Sequence, residues 1–78
     1  MITVQIKDPD KVKEGLAEVE ITCDAAGLEV LKRHIGFLKR APNHVHLMTP
    51  EWAGAELDSD PIEPGCAKVN HLRITLVD

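Results

Sequence analysis

Three of the four histidines, together with the single tryptophan, are the residues of this chain best placed for chemistry or recognition. His44 and His46 stand two apart, a spacing that on a strand puts both imidazoles on one face. There they could chelate one ion, with His71 or Glu20 adding a third ligand. Such a site needs neutral imidazoles converging at metal–nitrogen distances of about 2.0–2.1 Å. An H-x-H pair also occurs on ordinary polar strand faces, so His44, His46, His71 and Glu20 are weak metal candidates, and no cofactor is expected. Cys23 and Cys66 fit neither zinc nor redox spacing. They read as reduced thiols of a cytoplasmic protein. No Gly-x-Ser-x-Gly elbow, phosphate loop or helical His-Glu-x-x-His pair occurs. No catalytic residue is therefore expected, and the chain does not read as an enzyme.

Trp52 lies in residues 49–65, a stretch that also holds Glu51, Glu56, Asp58, Asp60 and Glu63 and contains no Lys or Arg. Two readings of the indole stay open. It plugs one edge of a small core, or it is an exposed anchor of the type that dominates interface hot spots. Charges at Glu51, Glu56 and Asp58 are expected to be spare surface charges that steer a basic partner and contribute little to folding.

The elements that would position these residues follow from apolar spacing. Residues 2–6 alternate through Ile2, Val4 and Ile6 and read as a strand, as do 16–22 through Ala17, Val19 and Ile21. Residues 7–15 are a polar loop. Over 24–40 the period changes to a helical stripe of Leu28, Leu31, Ile35 and Leu38, with Thr22 or Asp24 as the cap. Gly36 is expected to allow close approach of the helix to a sheet. Residues 44–48 and 67–78 are two further strands, with Val45, Leu47, Leu72, Ile74 and Leu76 inward. The order β-β-α-β-β predicts an α+β two-layer sandwich, one helix on a four-stranded, mainly antiparallel sheet. Residues 1–78 read as a single domain. Period-2 alternation then places His44, His46, Met48, His71, Arg73 and Thr75 on the face away from the helix, which solvent, the long loop or a partner must cover.

Composition narrows the function. The chain has 78 residues, 44% hydrophobic and 28% charged, with net charge −4. That is ordinary for a soluble domain, and no apolar run is long enough for a membrane span. An acidic chain with two aromatic residues argues against a nucleic-acid binder. A short domain with little room for a deep cleft favours a binding module.

The run HVHLMTPEW at 44–52, followed by Leu57 and by NHLRI at 70–74, resembles the immunity protein 32 family of bacterial polymorphic toxin systems. AEVEIT and the Gly-Leu start of the helix also fit, so the resemblance covers most of 14–77. Its most specific part is the string from His46 to Trp52. The resemblance implies an α+β protein, encoded beside a toxin gene, that protects the producing cell by binding and occluding a cognate toxin. It names no toxin, and a basic nuclease enters as a candidate partner only because an acidic inhibitor suits a basic enzyme electrostatically. It supplies no catalytic residue, and the prolines and acids at 58–64 look like a local elaboration. The candidate partner-binding set is His44, His46, Glu51, Trp52, Glu56, Asp58, His71 and Arg73. Two alternatives remain: a metal-binding protein using the histidine face, and a homodimer or larger accessory assembly that pairs sheet faces or edges.

Overall fold

The computed structural model covers residues 1–78. In chain order the elements are β1 (Ile2–Lys7), β2 (Glu18–Cys23), α1 (Ala25–Gly36), β3 (Asn43–Met48), β4 (Ala67–Lys68) and β5 (His71–Leu76). Short 3-10 turns occupy Pro9–Glu14 and Pro50–Trp52. The fold is α+β with one main helix. None of its helices is long and apolar enough to cross a membrane.

The single four-stranded sheet expected from the sequence is instead two small antiparallel sheets. One has the order β2-β1-β4 and the other pairs β3 with β5. The cause lies at Val69 and Asn70, in the middle of the segment expected to be the last strand. Val69 and Leu72 both pack against the core. They are three residues apart, and a regular strand would turn them to opposite faces. The backbone resets between them, and the segment changes partner. Val69 N–H donates to Val4 O at 2.9 Å, whereas Asn70 O accepts from Thr49 N–H at 3.0 Å.

α1 starts as the sequence suggests. The Asp24 carboxylate accepts the Gly27 N–H at 2.8 Å and also holds the N-terminal amine at 2.6 Å. The helix ends at Gly36, short of the expected Arg40, because Phe37 and Leu38 N–H groups turn back to His34 O and Ile35 O in a tightened final turn. The glycine that permits close approach is Gly27, not Gly36. A Cβ at Gly27 would overlap the Met1 carbonyl and stand 2.9 Å from Ile2 Cγ1, while nothing lies near Gly36.

The fully buried apolar core is Ile2, Val4, Leu47 and Leu57, with Val30, Leu31, Val45, Val69 and Leu72 packed around it. Four residues expected in the core, Val19, Ile21, Leu28 and Ile35, are exposed. β2 is an edge strand, and α1 docks through Gly27, Val30 and Leu31, so the flank of the helix and the outer strand keep apolar surface. Leu57, from the acidic loop, fills the space instead.

The same loop straps the other face of the three-stranded sheet. Gln5 is buried there: its Oε1 accepts the Glu63 N–H at 2.9 Å and its Nε2 donates to Glu20 Oε1 at 2.8 Å. Thr3 is buried beside it.

Candidate protein-binding face

The string from His46 to Trp52 folds as one device. Leu47 points inward and is fully buried, so by alternation His46 and Met48 point outward. Thr49 is buried too. Its hydroxyl donates to Asn70 Oδ1 at 2.8 Å and its N–H donates to Asn70 O, which fastens the end of β3 to the start of β5. Pro50 opens a 3-10 turn, and Thr49 O accepts N–H groups from both Trp52 and Gly54 at 2.9 Å. Gly54 lies so close under Met48 that a Cβ there would overlap the Met48 carbonyl. The turn therefore swings Trp52 back beside the strands it follows.

The β3–β5 register pairs His44 with Thr75, His46 with Arg73 and Met48 with His71. All six side chains share the outer face, as the alternation predicts. The rings form a row. His44 and His46 centroids are 4.6 Å apart, His46 and His71 4.8 Å, and Trp52 and His71 5.8 Å. His46 Nδ1 and His71 Nε2 are 2.6 Å apart, a hydrogen bond in which one ring nitrogen donates to the other. Trp52 is 54% exposed. Of the two readings of the indole, the exposed one describes the structure.

The face carries one formal positive charge, Arg73, and no carboxylate. Burial lowers the His46 pKa below the ordinary imidazole value, and His44, His71 and Arg73 push it further in the same direction. Arg73 uses its Nε–H on Thr75 Oγ1 at 3.2 Å and is exposed.

The three acids expected to be spare surface charges hold the loop together. Glu51 accepts from Lys68 Nζ and from the Ser59 hydroxyl, and these bonds pull its pKa from the usual 4.5 to about 2. Glu56 Oε1 accepts the Met48 N–H at 3.1 Å. Asp58 grips Ile2 from both sides: its N–H donates to Ile2 O at 2.7 Å, and its Oδ2 accepts the Ile2 N–H at 2.8 Å. The partner-binding set thus divides. His44, His46, Trp52, His71 and Arg73 come together on one face, whereas Glu51, Glu56 and Asp58 are bonded within the scaffold beside it. Sequence reasoning missed Thr49, Asn70 and Lys68, which fix that scaffold. A Thr-Pro pair immediately after a strand was the available signal for the first of them.

The metal reading has less geometry behind it. Glu20 lies on the other sheet, bonded to Gln5 and 3.6 Å from Lys7 Nζ. No group of three or more His, Cys, Asp or Glu side chains is arranged to hold a metal ion. The two clefts of the fold lie elsewhere, one beside Met1 and Gly27 and the other under the strap at Pro61–Pro64. The histidines stand on open surface. No protein-family model, curated protein or solved structure matches the chain.

Proposed function

We propose that this chain is an immunity protein of the immunity protein 32 kind: a cytoplasmic bacterial protein that neutralises a cognate toxin by stoichiometric occlusion, without catalysis. The observation that carries the reading is Trp52, an exposed indole beside His71 on a turn anchored by the buried Thr49. Holding a large aromatic outside the core in one geometry reduces the ordering cost of binding, which is what an interface anchor requires. Neither cleft of the fold lies on this face, which suits protein contact better than a small-molecule reaction. The string that carries the family resemblance is the same string that builds this presentation.

The test is co-expression with the product of the adjacent gene. Rescue of growth and one-to-one co-purification are expected. A toxic partner that is neither rescued nor captured would contradict the proposal.

Self-association is a second reading, favoured by the exposed apolar residues Val19, Ile21, Leu28 and Ile35. Light scattering over a concentration series separates a monomer from a dimer and bears on the partner stoichiometry.

A further inference from the structure

The chain is acidic as a whole, with net charge −4, and charge arithmetic alone assigns it a basic partner. The surface around Trp52 departs from that average. Glu51, which precedes the indole, is engaged with Lys68 and Ser59. Glu56 is turned onto the backbone N–H of Met48 and also accepts from Ala55. What remains on the outer face of β3 and β5 is three imidazoles, Met48, Thr75 and Arg73. Arg73 spends one donor on Thr75, which leaves its two terminal nitrogens, the fork that grips carboxylates in pairs, directed to solvent. Arg73 is the one formal positive charge of this face, and no carboxylate stands among these six residues. At about 0.1 M salt the screening length is about 10 Å, so a docked partner responds to this local field more than to the net charge.

We propose that the Trp52–His71–His46–Arg73 face binds an acidic segment of its protein partner, with Arg73 taking a carboxylate and Trp52 packing on the apolar part of the same segment. This rests on the reading of that face as the partner-binding surface, and it names the chemistry the partner must present. The charged groups around the face are Arg73 on β5, the Glu51–Lys68 pair by the 3-10 turn, and Glu56 at the Met48 backbone.

Hexaglutamate and hexalysine peptides are the probes, titrated into the isotope-labelled full chain and followed by NMR at pH 7. Hexaglutamate is expected to give saturable shifts at the Trp52 indole N–H and at the amides of His44, His46, His71 and Arg73. Arg73→Glu should weaken it at least tenfold and Arg73→Gln by less. Lys32→Glu, the same change in charge placed on the helix, should leave the affinity within twofold. Shifts at this face with hexalysine, equal losses in Arg73→Glu and Lys32→Glu, or no shift there with hexaglutamate would each overturn the proposal. Failure of the binding-face reading itself appears separately, as unchanged capture of the toxin partner by Trp52→Ala.

Discussion

Leu57→Ala is expected to destabilise the chain far more than any change at Val19, the reverse of what apolar spacing suggests. Leu57 is 2% exposed and is one of four fully buried apolar side chains, so its truncation opens a cavity in a core with few other contacts to close it. Leu→Ala changes at such sites cost about 2–5 kcal/mol. A domain of this length is stable by only about 4–12 kcal/mol, so the variant loses a large share of its stability. Its melting temperature should fall by at least about 8 °C. Val19 is 61% exposed on the edge strand. Val19→Thr keeps the β-branched shape and should change stability by less than about 0.5 kcal/mol. In a true core position the same hydroxyl would cost about 1–3 kcal/mol. Urea unfolding followed by circular dichroism, with Trp52 emission as a second probe, measures both. A loss below about 1 kcal/mol in Leu57→Ala together with a larger loss in Val19→Thr would refute this placement of the core.

Gly27→Ala should destabilise strongly, because the added methyl meets the Met1 carbonyl, whereas Gly36→Ala should be neutral or mildly stabilising; melting temperatures of the two variants decide. Asp58→Ala removes the acceptor of the buried Ile2 N–H and should lower the melting temperature, while Asp60→Ala should not. Because folding lowers the Glu51 pKa from 4.5 to about 2, its contribution to stability is fully present above pH 4.5 and is lost as pH falls towards 2. Lys68→Met should shrink that acid-dependent loss, which thermal melts between pH 5 and pH 2 would read.

The candidate site was legible to the extent that it depends on strand alternation. Once Leu47 is inward, the outward row of His44, His46 and Met48 follows, and Leu72 and Ile74 do the same for His71 and Arg73. The helix start was legible because Asp24 has the chemistry of a cap. The extent of burial was not. Alternation says which way Val19 and Ile21 point, not whether anything lies above them, and the helix docks too near Met1 and Ile2 to cover β2. Leu57 gave no periodic signal, being one apolar residue in an acidic loop. The break at Val69 and Asn70 was visible only as a conflict of parity between Val69 and Leu72. The acids of the loop misled for a simple reason. Glu51, Glu56 and Asp58 have the same composition whether they are solvated or bonded to Lys68, Met48 and Ile2, and only the chain path distinguishes the two.

The most direct measurement of the proposed function is the affinity of Trp52→Ala for the cognate toxin, set beside its melting temperature. Trp52 lies outside the core, so the variant should keep a near-native melting temperature. An anchor of this kind contributes about 2 kcal/mol or more to binding, so the affinity should fall about thirtyfold or further. Unchanged affinity in a folded Trp52→Ala, with loss of binding on substitution of Lys32 and Arg33 on the helix, would contradict the assignment of the binding surface to the histidine and tryptophan face.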